Sequence, residues 1–207
     1  MIGLVWVVVG GGGLLAIAAI ALAGMHLPRF LAVTRPLAAD ILVVEGWIPD
    51  QAVKGVISEV LQRRYRKIVV IGPPLWKGFY LSQYKTYAEL TAATLISLGI
   101  SPDLVQAVPC PAVESFRTYT AACHLYRWLQ QVTPAIKAIN LYTYDCHARR
   151  SWLVFKRVCA PQIKVGIIAA PALNYNPRRW WQTSVGCRQV ATEAIAYGHT
   201  RFFNWRA

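Results

Sequence analysis

The chain has 207 residues, of which 22 are lysine or arginine and 9 are aspartate or glutamate, so its formal net charge is +13. This length predicts one domain and an additional segment. The five cysteines are odd in number and contain no C-x-x-C pair. That pattern argues against a disulfide framework and against a structural zinc site.

The N-terminal stretch from Ile2 to Met25 carries no charged residue. It meets the requirement of roughly 20 apolar residues for crossing a bilayer. A cleaved signal peptide is the rival interpretation, but it calls for basic residues before the apolar core, and none is present. We therefore predict a single-pass membrane protein with an anchor at 1–25 and a linker at 26–37. Arg29 and Arg35 alone do not decide on which side of the membrane the domain lies.

The positive charge of the chain lies entirely outside this apolar stretch. Basic domains attract nucleic acid, anionic lipid or acidic small molecules. No zinc-finger spacing, RNP-like aromatic motif or arginine run is present, so nucleic acid is not an expected partner. The expected partners are membrane lipid, through the N-terminal helix, and an anionic small-molecule ligand. The histidines show no ligand spacing, and no metal is expected.

After the linker, short apolar runs alternate with segments of helical periodicity. The runs predict strands at 40–44, 67–71, 104–108, from 138, and at 164–169, and the periodic segments predict helices near 51–65, 84–98, 115–131, 151–157 and 177–197. Such alternation is typical of a parallel sheet covered on both faces. The predicted fold class is α/β, a Rossmann-like three-layer sandwich over 38–207 with a mostly parallel sheet of about five strands, preceded by one transmembrane helix.

In such folds ligands bind outside the carboxyl ends of the strands. This rule brings four separate loops to one edge of the sheet and predicts a shared site there. The loop residues concerned are Glu45, Gly46, Gly72, Cys110, Glu114, Ser115, Asp145, His147 and Arg150.

Two of these loops carry groups suited to acid–base chemistry. Glu45 ends an apolar strand in a chain poor in acids, and Gly46 would let a ligand approach the backbone. The alternative is that Glu45 only pairs with an arginine such as Arg150. His147 and Arg150 are three residues apart, so on a helix they point to the same side and could bind an anion or exchange a proton.

The third loop has both a structural and a functional interpretation. Ser115 could cap the following helix, and Glu114 would favour the positive end of its dipole. In the functional interpretation, Ser115, Arg117 or Thr118 contacts an anionic ligand. Cys146 is not a predicted nucleophile, because the adjacent His147 is poorly placed to act as its base.

Three motifs together resemble a known family. They are the strand from Asp40 to Gly46, Glu114–Ser115–x–x–Thr118, and His147–x–x–Arg150–Ser151. In order and spacing they resemble the domain shared by YdcF, SanA and ElyC, over roughly residues 38–200. The resemblance implies a Rossmann-like domain on an N-terminal membrane segment, with a role in bacterial cell-envelope physiology. By this resemblance, the site residues of the family correspond to Glu45, Gly46, Glu114, Ser115, Thr118, His147 and Arg150.

The resemblance also implies a nucleotide-like ligand such as S-adenosylmethionine. No G-x-G-x-x-G loop follows the first strand, which counts against that cofactor. Pro73 and Pro74 also stand where the family often has glycines. Our first hypothesis is a membrane-anchored domain that binds an anionic nucleotide-like or envelope-precursor ligand. Glu45 would be the acceptor or base, His147 the acid–base group, and Arg150, Ser115 and Thr118 the anion clamp.

The alternative hypothesis is a non-enzymatic, membrane-associated interaction or scaffold protein. It depends on the C-terminal segment, where arginines alternate with aromatic residues at 178–181 and 201–206. Such interleaving suits contact with lipid headgroups beside an anchor.

Overall fold

A computed structural model describes residues 24–132 and 135–204. The predicted anchor at 1–25 lies almost wholly outside these residues. Within the described ranges no helix has the length and apolar character needed to cross a bilayer.

The described residues form one sheet of five strands, all parallel, in the order β3-β2-β1-β4-β5. The strands are β1 (Ile41–Glu45), β2 (Lys67–Gly72), β3 (Val105–Pro109), β4 (Ala138–Tyr144) and β5 (Lys164–Ala170). Every residue of β1 is buried, as expected for a central strand covered on both faces. The predicted Rossmann-like α/β fold with a parallel sheet is confirmed.

Five α-helices follow β1 in the described residues: α1 (Asp50–Gln62), α2 (Tyr87–Ser97), α3 (Arg117–Val132), α4 (Ala148–Cys159) and α5 (Ser184–Phe202). Three-residue 3-10 turns occur at Pro102–Leu104 and Asp145–His147, and a longer 3-10 segment covers Pro177–Gln182. The helix predicted near 177–197 is therefore divided. Thr183 caps α5 by accepting a hydrogen bond from the Gly186 amide at 3.1 Å, and this cap separates the two pieces.

Two apolar cores lie on opposite faces of the sheet. One is formed with α1 and α2, which contribute residues such as Val53 and Leu95. The other is formed with α3 and α4, which contribute Leu125 and Phe155. This arrangement is the three-layer sandwich that the sequence pattern predicts.

The segment expected as a linker is packed against the domain. Residues 24–31 are helical, and Leu31 is fully buried beside Val190 of α5. The indole nitrogen of Trp180 donates a hydrogen bond to the Gly24 carbonyl at 3.0 Å. Further along, Arg35 forms an antiparallel bridge with Ile167 of β5. The chain is thus held to the domain from residue 24 onward.

The strand order reverses between β1 and β4, which are neighbours although they are far apart in sequence. At such a switch point the connections leave in opposite directions and open a crevice beyond the carboxyl ends of the two strands. Glu45 is the last residue of β1, and His147 lies just after β4. The fold thereby places both predicted catalytic residues at this crevice.

Candidate functional site

A cavity of about 980 Å³ opens at the carboxyl edge of the sheet. Its wall is built from the loops after β1, β2, β3 and β4 and from the middle of α5. The predicted site residues that line it are Glu45, Gly72, Glu114, Ser115, Thr118, His147 and Arg150. Gly46 does not line the cavity.

Glu45 lies deep in the cavity and is 3% exposed. Its carboxylate accepts hydrogen bonds from the hydroxyls of Thr143 and Ser151, the latter at 3.1 Å to each oxygen. Its Oε2 atom is 3.7 Å from Nε2 of His147. The pairing of Glu45 with Arg150, the alternative raised by the sequence, does not occur. Two hydroxyls instead hold the carboxylate in one orientation, facing the imidazole.

Arg150 pairs with Glu193 of α5, a residue that the sequence analysis did not select. Arg150 donates from Nε to one Glu193 oxygen at 3.0 Å and from Nη2 to the other at 3.2 Å. Nδ1 of His147 is 3.1 Å from the same carboxylate. Burial by itself raises the Glu193 pKa, but the hydrogen bonds and charges of His147 and Arg150 outweigh it and lower this pKa to about 2. Glu193 is therefore an ionised and mostly buried partner for both groups.

The His147 ring has a partner for either position of its proton. Glu193 can only accept at Nδ1, whereas Nη2 of Arg150, at 3.0 Å from the same nitrogen, can only donate. A proton on Nδ1 satisfies Glu193, and a proton on Nε2 faces Glu45. The Trp47 ring packs edge-on against the imidazole, with centroids 4.9 Å apart, and fixes its plane. The histidine is thus oriented to give or accept a proton at Nε2 inside the cavity.

The turn that presents His147 is held in an unusual conformation. Asp145 has φ of 48°, in the left-handed region, and accepts a hydrogen bond from the Tyr175 hydroxyl at 2.6 Å. Burial raises the pKa of Asp145. Strained backbone of this kind is found where a fold positions functional groups. Asp145 therefore shapes the turn from outside the cavity wall.

Cys146 turns away from the cavity. Its thiol is fully buried near the hydroxyl of Tyr175, in the small cluster that contains Leu31 and Val190. Burial raises the pKa of this thiol to about 12, so it carries no appreciable thiolate at neutral pH. The structure gives this cysteine a packing role.

The outer part of the cavity is formed by the start of α3. Ser115 does not cap this helix, which begins at Arg117 after Phe116, a residue with φ of 60°. The hydroxyl of Thr118 accepts a hydrogen bond from Nη1 of Arg150 at 3.3 Å. Arg117 is exposed, and its guanidinium lies 5.4 Å from the ring centroid of Trp76. No carboxylate of the described residues forms an ion pair with Arg117, so this cation is available to a ligand.

Gly46 and Gly72, in the loops after β1 and β2, allow the N-terminus of α2 to pack closely against the backbone of these loops. A Cβ atom on Gly46 would lie 2.6 Å from the Tyr87 carbonyl oxygen, and one on Gly72 would lie 2.8 Å from the Ala88 nitrogen. Thr91 of α2 donates a hydrogen bond to the Gly46 carbonyl at 2.6 Å. Both glycines thus allow the N-terminus of α2 to pack against the sheet. Of the two, Gly72 lines the cavity and Gly46 does not.

The charges that line the cavity nearly balance. Three carboxylates (Glu45, Glu114 and Glu193) oppose two arginines (Arg117 and Arg150) and the ionisable His147. They are unevenly distributed, since Glu45 and Glu193 lie deep inside whereas Arg117 stands at the opening. Across the described ranges, no group of three or more His, Cys, Asp or Glu side chains is placed to hold a metal ion.

A comparison with protein-family models finds no match to this chain, and a comparison with curated proteins finds none either. The likeness to the YdcF, SanA and ElyC domain therefore rests on the motifs alone.

Proposed function

We propose that the cavity binds a small molecule that combines a phosphate or similar anionic group with hydroxyls, as nucleotides and phosphorylated envelope precursors do. The observation that carries this proposal is the buried Glu45 carboxylate, which two hydroxyls fix in place opposite His147. A fixed carboxylate inside a cavity of about 980 Å³ is an acceptor for ligand hydroxyls.

The anionic part of the ligand would lie at the opening. Arg117 is the exposed cation there, and it stands at the N-terminus of the 16-residue helix α3. The positive end of the helix dipole adds to its attraction for an anion. Arg150 is already paired with Glu193, so its role shifts from a direct clamp to positioning His147 and Thr118. The hydroxyl-bearing part would point inward, to Glu45.

The same geometry supports acid–base chemistry on the bound molecule. A ligand hydroxyl or a water that approaches both Glu45 and Nε2 of His147 from the cavity would lose its proton to one of them. Positioned acid–base groups of this kind contribute roughly a hundred- to ten-thousand-fold to a rate. Glu193 would stabilise the imidazolium that forms when His147 accepts the proton.

We further propose that the chain is tethered to a membrane through its apolar N-terminal stretch and acts on the bacterial cell envelope. Support comes from the uncharged run from Ile2 to Met25 and from the motifs shared with the YdcF, SanA and ElyC domain. Because residues 24–31 are packed on the domain, such an anchor would hold the cavity at a fixed distance from the bilayer.

The experiment is a thermal-shift screen of the full chain in mild detergent against nucleoside diphosphates, sugar nucleotides, polyprenyl phosphates and S-adenosylmethionine. We expect a phosphate-bearing compound to raise the melting temperature. Arg117→Ala should reduce that rise, whereas Arg127→Ala, an exposed arginine near the far end of the same helix, should not. Equal stabilisation of both variants would refute the placement of the anion.

One observation favours the scaffold alternative. Phe202 and Phe203, at the end of α5, are mostly exposed and follow Arg201. If partner or lipid contact there is the function, replacing both phenylalanines by serine should abolish association. Glu45→Gln should then have no effect on it. Removing 178–207 altogether is not a suitable test, because α5 supplies Glu193 to the cavity.

A further inference from the structure

The loop between β2 and α2, residues 73–86, stands at the opening of the cavity and has a firmly held base. Pro74 and Thr86 form an antiparallel bridge, and the Leu75 amide donates to the Lys85 carbonyl at 2.9 Å. The Leu75 side chain is buried. Beyond this base the chain turns through Gly78, whose φ of 78° lies in the left-handed region. The loop is thus an ordered projection from the domain.

The tip of this loop exposes large apolar side chains to an unusual degree. Tyr80 is 92% exposed, Leu81 is 96% exposed and Trp76 is 74% exposed. Single exposed apolar residues are ordinary on protein surfaces. Three within six residues on one ordered projection are a high local concentration of exposed apolar side chains, which is typical of an interaction site.

Cations surround this apolar tip. Lys77 is exposed beside Trp76, and Arg117 lies over the Trp76 ring. The Lys85 ammonium donates to the carbonyls of Phe79 and Ser82 at 3.0 and 2.8 Å, which places its charge under the tip. Apolar residues ringed by lysine and arginine complement a bilayer that contains anionic lipid.

The first acid after this loop in the sequence, Glu89, is held at the base of the loop. Glu89 accepts hydrogen bonds from the backbone amides of Lys85 and Thr86, as part of the box that caps α2. Its carboxylate is therefore directed to the helix N-terminus, and Lys77 remains exposed near the tip.

The N-terminal segment reaches the same edge of the sheet. Gly24 contacts Trp180, which lies in the connection after the carboxyl end of β5. The loop 73–86 follows the carboxyl end of β2, three strands away, or about 15 Å at the usual strand spacing. The loop tip, the cavity opening and Gly24, the first described residue, therefore lie on one side of the molecule.

We propose that residues 76–81 of this loop insert into the surface of an anionic lipid bilayer, as a second membrane contact beside the cavity. The proposal does not depend on the ligand-binding function, but it rests on the proposed membrane tether. It also specifies how the domain is oriented, with the cavity opening directed at the lipid headgroups.

The experiment uses the full chain reconstituted in vesicles of phosphatidylcholine with a minor fraction of phosphatidylglycerol. A nitrobenzoxadiazole dye is attached to a cysteine at Leu81→Cys and, as the matched control, at Leu61→Cys. Leu61 is 81% exposed on α1, and α1 ends at the amino edge of the sheet. Labelling of the unsubstituted chain gives the background from the native cysteines.

The dye at Leu81→Cys should emit at shorter wavelength and be quenched several-fold more strongly by doxyl-labelled lipid than the dye at Leu61→Cys. Lys77→Glu in the Leu81→Cys chain should reduce that quenching. Equal, weak quenching at both sites would overturn the proposal. A blue shift without lipid quenching would also overturn it, because it would mean that the tip is covered by protein, such as a second copy of the chain.

Discussion

Glu193 offers the sharpest test of how the deep part of the cavity is held together. Its side chain is 13% exposed and accepts hydrogen bonds from Arg150 at 3.0 and 3.2 Å, with His147 Nδ1 at 3.1 Å. The substitution Glu193→Gln keeps the shape of the side chain but removes its charge. Arg150 then loses the carboxylate that neutralises it, and His147 loses its ionised partner at Nδ1.

The size of the effect follows from the pKa of Glu193. A fall from the ordinary value of 4.5 to about 2 corresponds to about 3 kcal/mol of folding free energy. Because the folded pKa is lowered, this stabilisation is present above pH 4.5 and is lost as the pH falls toward about 2. The glutamine variant lacks it, so it should be less stable by about 3 kcal/mol at neutral pH, and the difference should shrink in acid.

The assay is urea unfolding of the full chain in mild detergent, followed by tryptophan fluorescence at several pH values from neutral to strongly acidic. Glu114→Gln is the matched control, because Glu114 lines the same cavity but is exposed. If Glu193→Gln changed stability equally at every pH, or not at all, the proposed role of Glu193 would be wrong.

Two further substitutions test the packing around the site. Gly46→Ala should destabilise the fold by about 1–3 kcal/mol in the same unfolding assay, because its Cβ would meet the Tyr87 carbonyl oxygen. Gly198→Ala should be neutral or slightly stabilising, because nothing lies within 4 Å of the added Cβ. Equal destabilisation by Gly46→Ala and Gly198→Ala would refute the close contact of Gly46 with α2. Leu31→Ala should cost about 2–5 kcal/mol if residues 24–31 are packed, whereas the exposed Leu61→Ala should cost little. A silent Leu31→Ala would restore the linker interpretation.

The sequence was sufficient for the fold and for one half of the site. Uninterrupted apolar strands indicate a parallel sheet, and the rule for ligand position then pairs Glu45 with His147, which the structure places 3.7 Å apart. The spacing of His147 and Arg150 likewise predicts that they point to the same side, and Nη2 of Arg150 lies 3.0 Å from Nδ1 of His147. These inferences work because they depend on strand ends and helical periodicity, which are local properties of the chain.

The other half of the site depends on how α5 packs, and no local pattern encodes that. Glu193 belongs to no motif, and its meeting with Arg150 requires α5 to pack beside the turn after β4. One signal was present: Glu193 is the one acidic residue between 146 and 207. A lone acid in so basic a segment is a natural partner for a partly buried arginine such as Arg150.

Two other differences have the same origin in tertiary packing. Prolines at both ends made 26–37 resemble a linker, but Leu31 fits a space beside α5 that exists only in the folded chain. The absence of a side chain at Gly46 was expected to let a ligand approach the backbone. In the structure the first residues of α2 occupy that space. The sequence shows that a residue is small or apolar, but only the folded structure shows which residues pack against it.

The central claim is that one ligand spans the cavity from Arg117 at its opening to Glu45 at its deep end. Isothermal titration calorimetry with uridine diphosphate and uridine diphosphate N-acetylglucosamine tests it on the full chain, on Arg117→Ala, on Glu45→Gln and on the control Arg127→Ala. We predict that at least one of the two compounds binds the full chain and Arg127→Ala alike, and that both cavity variants weaken its binding by tenfold or more, about 1.4 kcal/mol each. Failure of both compounds to bind, or equal affinity across all four proteins, would contradict the account.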